Sequence, residues 1–258
     1  MKKKDRRDEI VDLLKDEGAL PVNVLSQRLG VSHMTVRRDL ESLSTQGIVK
    51  LIHGGAALSP AAVEPENEIP YTLHNASVRR MPEKQRIARY AAELIESGDT
   101  VVLDSGSTTE CLARALPCVE SLTILCYAMN IFAAIELPER REIVFGGGRY
   151  HPNLMMFESP ESVGLIRRHR PTKAFVSAAG ISPRFGITCR NEFERQTKRA
   201  VMESSLQKVL VADSSKIDVV HRDVFAELQE FDRLITDADL SAEDRSRIES
   251  SGLKLNLV

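Results

Sequence analysis

Gly30-Val31-Ser32-His33-Met34-Thr35-Val36-Arg37-Arg38-Asp39-Leu40 is the stretch that decides how the N-terminal part of this sequence folds. Gly30 stops a helical pattern carried by Val22, Val24, Leu25 and Leu29, and Val31-Ser32 makes a tight turn with Ser32 placed to cap the next helix. From about His33 to Gln46 the spacing predicts a helix with Met34, Val36, Leu40 and Leu43 inward and His33, Thr35, Arg37, Arg38 and Glu41 largely outward. Working outward, Arg6 to Glu17 puts Ile10, Leu13 and Leu14 on one helical face before Gly18 ends it. On the other side, Ile48-Val49-Lys50-Leu51-Ile52-His53 meets Gly54-Gly55 and then Ala56-Ala57-Leu58, the turn signal of a two-stranded wing.

Three short helices followed by a hairpin are the parts of a winged helix-turn-helix. Thr35, Arg37 and Arg38 carry hydroxyl and guanidinium donors suited to phosphate oxygens and guanine edges, with Ser32 and His33 beside them and Lys50 and His53 on the wing for backbone or minor-groove contacts. An isolated Arg-Arg pair is usually a solvated helix face. Here the whole of residues 1–58 concurs with the DNA reading. Lys2-Lys3-Lys4 is less telling, since such a cluster is more often a solvated terminus.

The 258 residues hold 35 Lys/Arg against 37 Asp/Glu, a net charge of -2 that taken alone discourages a nucleic-acid partner. The charge is segregated, however. Residues 1–58 hold ten Lys/Arg and eight Asp/Glu, leaving 25 and 29 downstream, so a net +2 is followed by a net -4. With 42% apolar and 28% charged residues the composition fits an ordinary globular protein. Pro60, Pro65, Pro70 and Pro82 punctuate the next stretch, which reads as a linker over 59–81. No apolar run approaches a membrane span, the basic start lacks the apolar segment of a signal peptide, and a cytoplasmic protein is expected. Cys111, Cys118, Cys126 and Cys189 form no metal-type cluster and read as buried thiols; the six histidines show no ligand spacing, so no metal or cofactor is expected.

From residue 82 to 258, helical and strand patterns alternate. Helices are expected over Glu83–Ser97, Thr108–Leu116 and Ile131–Leu137, and strands over Thr100–Asp104, Leu122–Cys126, Glu142–Phe145, Ala174–Ser177, Val209–Ala212, Arg233–Ile235 and Leu253–Leu257. Such alternation predicts an α/β domain with a mostly parallel sheet. Five polar or glycine-rich strings follow strands, where ligands bind in such sheets. Asp104-Ser105-Gly106-Ser107-Thr108-Thr109 opens a helix and is suited to a phosphate dianion, and it is neither a Walker A loop nor a dinucleotide fingerprint. Gly146-Gly147-Gly148 is either a ligand approach or simply a turn. Cys126-Tyr127, Ala178-Ala179-Gly180 and Asp213-Ser214-Ser215-Lys216 are the others, with Lys216 either a phosphate contact or a surface lysine. Met155-Met156-Phe157 reads as packing or an oligomer contact.

The string Ser32 to Leu40, followed by Gly47 and His53-Gly54-Gly55, resembles the DNA-binding signature of the DeoR family of bacterial transcriptional repressors, and the resemblance runs over nearly the whole chain. It implies operator DNA and a phosphorylated sugar as partners, a homo-oligomer (dimer or higher), and a C-terminal domain resembling the ribose-5-phosphate isomerase fold. It also favours binding for Lys216 and implies a substrate-facing region at Asn191, Glu192 and Lys198. There, Glu192 is suited to sugar hydroxyls, and Lys198 either neutralises charge or faces solvent. The sequence departs from the family pattern in two places. Cys126-Tyr127 stands where Thr-Asn is usual, and a usual glycine is missing around Phe157-Glu158-Ser159. The stretch Cys126 to Asn130, with Ser177 to Gly180 and Thr188-Cys189, resembles the family's deoxyribonucleoside-responsive members, which implies deoxyribose-5-phosphate as inducer and a pocket reshaped by Tyr127. The alternative is a sugar-phosphate isomerase-type enzyme using Asp104 or Glu192 as general base. The attached DNA reader argues against it, and no catalytic residue is assigned.

Overall fold

Helix α1 (Lys3–Glu17) ends at Gly18, whose φ of 76° and N–H bond to the Leu14 carbonyl at 3.0 Å close it in the left-handed form that glycine adopts without strain. The chain is described by a computed structural model over residues 3–45, 48–52, 54–58, 72–136 and 141–258, and it divides into two units. The first unit continues with β1 (Ala19–Pro21), α2 (Val22–Leu29), α3 (His33–Thr45), β2 (Val49–Ile52) and β3 (Gly55–Leu58). Ile10, Leu14, Leu20, Leu25, Val36, Leu40 and Leu43 form its core.

Two expectations change here. Met34 is 67% exposed instead of inward. The buried stripe of α3 is Val36, Leu40 and Leu43, and a residue two positions from Val36 sits some 200° around a helix, on the opposite side. The wing is also a three-stranded antiparallel sheet in the order β1-β3-β2, with Leu20 opposite Ala56. Ala19-Leu20-Pro21 is too short for its alternation to register in sequence. Gly55 is the residue that permits this pairing, since a Cβ there would lie 2.4 Å from the Leu20 carbonyl oxygen.

The second unit begins inside the segment expected as linker. Residues 59–71 lie outside those described, but α4 (Leu73–Val78) is a helix, capped by the Thr72 hydroxyl accepting from the Asn75 N–H at 3.2 Å. Then come α5 (Met81–Ala92), β4 (Asp99–Leu103), α6 (Ser107–Arg114), β5 (Leu122–Cys126), α7 (Met129–Ala134) and β6 (Arg141–Phe145). A hairpin follows, β7 (Arg149–His151) and β8 (Met156–Glu158), then α8 (Pro160–His169), β9 (Lys173–Val176), β10 (Gly180–Ser182), β11 (Gly186–Cys189) and α9 (Glu192–Ser204). The chain closes with β12 (Gln207–Val211), β13 (Asp223–Ala226), β14 (Arg233–Thr236), α10 (Ala242–Ser250) and β15 (Lys254–Leu257).

The main sheet has the order β15-β14-β12-β9-β4-β5-β6, and every pairing in it is parallel. Strands such as Val101-Val102-Leu103 and Val209-Leu210-Val211 are buried throughout, as fits a parallel sheet covered by helices. The α/β expectation is met. β10, β11 and β13 form a separate antiparallel sheet, and α8 and α9 join the helices, none of which the sequence reading assigned. Three of the four cysteines are buried, while Cys118 is exposed, against expectation.

Asp99 ties the starts of β4 and β9. Its carboxylate accepts from Lys173 Nζ at 2.5 Å, Thr172 Oγ1 at 2.7 Å and the Glu96 N–H at 2.8 Å. Burial works against its charge, but these donors outweigh burial and hold Asp99 below the ordinary aspartate range. Asp237 is lowered likewise, burial being outweighed by the Ser214 N–H and hydroxyl and by Arg80. A depressed carboxylate contributes stability that is complete above its unfolded value, about 3.9, and is lost as pH falls through the folded one. The melting temperature should therefore hold from pH 7 to about 4 and fall below it, with a shallower fall in Asp99→Asn. Thermal melts across that range check this.

Candidate DNA interface and effector crevice

The turn between α2 and α3 is built by three short-range bonds. Gly30 takes φ 63° and its N–H returns to the Ser26 carbonyl, the Val31 N–H bonds the same oxygen at 3.1 Å, and Ser26 Oγ donates to the Val31 carbonyl at 2.6 Å. Ser32 then caps α3, accepting from the Thr35 N–H at 3.2 Å while its hydroxyl lies 2.9 Å from Thr35 Oγ1. Asp39 is buried and pairs with Arg6 at 2.6 Å and Arg7 at 3.3 Å, fixing α3 against α1. What α3 offers to solvent is His33, Met34, Arg37, Arg38 and Glu41. Met34, Arg37, Arg38 and Glu41 recur at i, i+3, i+4 and i+7 and so share one face. Of the wing residues, Lys50 is half-buried on β2, and His53 lies outside the described residues.

In the second unit the crevice follows from topology. From β4 the sheet grows one way through β5 and β6 and the other way through β9, β12, β14 and β15, so β4 and β9 flank the switch point where open sheets bind ligands. The five polar strings all follow strands of this parallel sheet, after β4, β5, β6, β9 and β12, and therefore gather at one edge.

At the floor of the crevice lies a buried polar cluster. Asp104 is wholly buried, and its carboxylate accepts from four donors: Tyr127 Oη, Lys198 Nζ, the Ser177 N–H at 2.8 Å and Ser177 Oγ at 3.0 Å. Lys198 also donates to the Ser177 carbonyl at 3.0 Å. Burial opposes the Lys198 charge, but Asp104 and Glu194 outweigh it and hold the ammonium above the ordinary lysine range. Burial, then the Asp104 charge, pushes the Tyr127 phenol well up, so it stays protonated and donates. Asp104, Tyr127 and Lys198 were expected to touch the effector. Their polar atoms here bond one another and Ser177, because a charge this deep must be paired. A carboxylate engaged by four donors is not poised as a general base.

Above this floor, the loop turns into α6. Gly106 sits so close to Ser177 that a Cβ would fall 2.7 Å from Ser177 Oγ and 2.9 Å from Ser177 Cβ. The Gly106 carbonyl accepts the Glu110 N–H at 3.0 Å and Asn130 Nδ2 at 3.2 Å, which leaves the first-turn N–H groups of Ser107, Thr108 and Thr109 as the donors a helix start presents. Gly147 and Gly148 are exposed after β6, and a Cβ on Gly148 (φ 141°) would lie 2.2 Å from the Glu158 carbonyl oxygen, so this turn is glycine for steric reasons. The β7–β8 hairpin packs on the loop after β5, with the Met129 N–H bonding the Met155 carbonyl and the Phe157 N–H the Tyr127 carbonyl, both at 2.7 Å. Met156 is buried, in keeping with packing. His151 anchors the hairpin, 2.9 Å from Glu158 and stacked on Phe193 at 3.6 Å between ring centres. Glu192 is exposed at the start of α9.

Two lysines, Lys84 on α5 and Lys216 after β12, share Asp213 as a charged neighbour, and only Lys216 stands out in the sequence. Lys84 is 3% exposed and donates to the Ala76 and Arg79 carbonyls at 2.6 and 2.7 Å, holding the end of α4. An ammonium has three donors, so one more bond is open to it. Burial and then the neighbouring Lys216 charge lower Lys84, and Asp213 and Cys111 of α6 oppose them in part. Lys216, in a 3-10 turn after β12, is lowered by burial and by the Arg190 and Arg79 charges, with Asp213 opposing. Lys84 occupies an ordinary amphipathic helix pattern, so no local signal marks it. A cavity of about 340 Å³ between α5 and α6, walled by Met81, Arg89, Glu110, Cys111 and Arg114, meets the loop at Ser107.

Comparison with known proteins agrees with both halves. A DeoR-like helix-turn-helix domain matches residues 6–60, and a DeoR C terminal sensor domain matches residues 79–238. The chain belongs to the DeoR family. Among curated DeoR-type relatives, the HTH-type transcriptional regulator GlpR of Haloferax volcanii is 33% identical over 96% of this chain and 95% of its own. The deoxyribose operon repressor of Escherichia coli K12 is 31% identical over 92% and 91%. Among solved structures, ribose 5-phosphate isomerase A from Neisseria gonorrhoeae is 15% identical over 54% of this chain and 53% of that one, with a TM-score of 0.36. The protein is thus a transcriptional regulator of the DeoR family with its DNA-binding and sensor domains in that order. Among its described residues, no helix is long and apolar enough to cross a membrane.

Proposed function

We propose that this DeoR-family regulator is a repressor of a sugar or deoxyribonucleoside catabolic operon, which binds its operator through α3 and the wing and is released by a phosphorylated sugar. The observation that carries the sensing half is the pair Lys84 and Lys216, one buried and one half-buried, which share Asp213 as a charged neighbour, with Cys111 of α6 also beside Lys84 and a glycine-containing loop opening that helix. Two such ammonium groups repel, and a phosphate dianion between them relieves the repulsion while taking the first-turn N–H groups of α6. Ser107, Thr108 and Thr109 are the loop donors, with Gly106, Gly147 and Gly148 allowing close backbone approach and Glu192 suited to sugar hydroxyls. Asp104, Tyr127 and Lys198 form the floor that holds the loop in place. Deoxyribose-5-phosphate is the best candidate effector. Support comes from the resemblance around Tyr127 and from the deoxyribose operon repressor among the relatives.

On the DNA side, Ser32 and Thr35 set the start of α3, and His33, Arg37 and Arg38 reach the duplex, joined by Lys50 and His53 of the wing. The regulator acts as a homodimer or larger assembly on palindromic half-sites, an arrangement common among helix-turn-helix proteins. Coupling requires that the effector bind the DNA-incompetent state more tightly.

The test begins with duplexes recovered from a random pool by the full-length protein. Fluorescence anisotropy then follows their release by deoxyribose-5-phosphate, ribose-5-phosphate and unphosphorylated deoxyribose. Release by a phosphorylated sugar alone supports the reading. Sequence-independent binding at every salt, or release by none of the sugars, counts against it. Arg37→Ala should weaken operator binding by about 1–3 kcal/mol and relax selectivity at one base pair if the guanidinium meets a guanine. Equal weakening on all duplexes would assign Arg37 to a phosphate.

A further inference from the structure

Met34 is a feature of the DNA-binding unit that neither its core nor its charge explains. It is 67% exposed, a large apolar side chain in the first turn of α3, on the face it shares with Arg37 and Arg38. Val36, Leu40 and Leu43 carry the packing of α3, so Met34 adds nothing to the core. Helical side chains lean toward the N-terminus of their helix, so Met34 covers the surface at the tip of α3 and projects ahead of Arg37 by one turn. In helix-turn-helix proteins the residues at that tip meet base edges. The surroundings say what covers it. His33, Arg37 and Arg38 are exposed beside it, and this polar, positively charged collar suits a polyanion, not an apolar protein surface. The one apolar group on the floor of a DNA major groove is the C5-methyl of thymine.

We propose that Met34 is a specificity-determining residue of this regulator, packing its thioether chain against a thymine methyl group at a base pair neighbouring the one met by Arg37. The inference rests on the operator-binding reading above and assigns one position of each half-site. Met suits this task because its flexible chain and polarizable sulfur adapt to a small apolar target.

The test uses duplexes selected by the full-length protein from a random pool, resynthesised with each thymine in turn replaced by uracil, which removes only the methyl group. The wild-type protein should lose about fourfold in affinity at one thymine per half-site, the change expected for one methyl returned to water. Met34→Ala should bind the thymine and uracil duplexes equally at that position, and Met34→Leu should keep the difference. Both variants should melt as the wild type does, given the exposure of the side chain. If no thymine-to-uracil change affects the wild type, or if Met34→Ala keeps the full difference, the proposal is wrong. If the protein selects no sequence at all, the operator reading itself fails, a result distinct from either.

Discussion

Asp104→Ala should destabilise the C-terminal unit by about 3–5 kcal/mol, because it leaves the Lys198 ammonium and the Tyr127 hydroxyl buried without their shared acceptor. Lys198 is the larger part of that cost. Its charge is held above the ordinary lysine range by Asp104 and Glu194, and with Asp104 gone burial would push it toward the neutral amine against Glu194 and weaker support. The reciprocal variant Lys198→Met should cost a comparable amount, stranding the carboxylate. Replacing both, Asp104→Leu with Lys198→Met, should recover much of the loss, since a buried pair exchanged for apolar groups of similar volume is often neutral. Denaturant unfolding of the wild type, Asp104→Leu, Lys198→Met and the double variant gives the coupling energy directly. A loss below 1 kcal/mol in Asp104→Ala would show that water or a repacked neighbour replaces the pair.

The second large effect concerns the effector. Lys216→Met should weaken sugar-phosphate binding by about 10-fold or more, and Lys84→Met with Lys216→Met by about 100-fold or more, since a hydrogen bond to a charged group contributes about 1.5–3 kcal/mol. Calorimetric titration with deoxyribose-5-phosphate reads both, and unphosphorylated deoxyribose serves as the control whose affinity should not move. Lys84 also holds the end of α4, so circular dichroism melts of each variant separate a loosened helix from a lost contact. The pH dependence has a definite sign. Both lysines are depressed below the ordinary value, so they lose charge earlier than a surface lysine as pH rises, and affinity should fall on the alkaline side. Unchanged affinity in Lys216→Met would place the phosphate elsewhere, with the α5–α6 cavity at Ser107 the next site to examine.

Much of this molecule is written locally. Gly30, Ser32 and Gly18 mark helix ends by backbone and side-chain chemistry that acts within five residues, so α1, α2 and α3 are legible without tertiary information. The strand Leu122–Cys126 is legible for a similar reason: a short parallel strand, buried at every position but Thr123, is a nearly continuous apolar run. The polar strings after the strands also stand out, since glycine and hydroxyl residues interrupt those runs.

What could not be read locally depended on which surface an element meets. Met34 looked like a core residue because its side chain is apolar, and it faces outward because packing chose Val36, Leu40 and Leu43 as the buried stripe of α3, some 200° around from it. Ala19-Leu20-Pro21 became a strand because β3 lies beside it, with Gly55 thin enough to allow the approach. Lys84 reads as one polar position of a helix until α4 and the β12 loop enclose it. Asp104 and Lys198 are 94 residues apart, and their pairing follows from the strand order that sets β4 beside β9. The sequence by itself determined the reader, the sensor and the five loops, because capping, periodicity and turn chemistry are short-ranged. Tertiary structure alone decided which charges in those loops are paired with each other, because burial and long-range electrostatics arise only after the sheet has assembled.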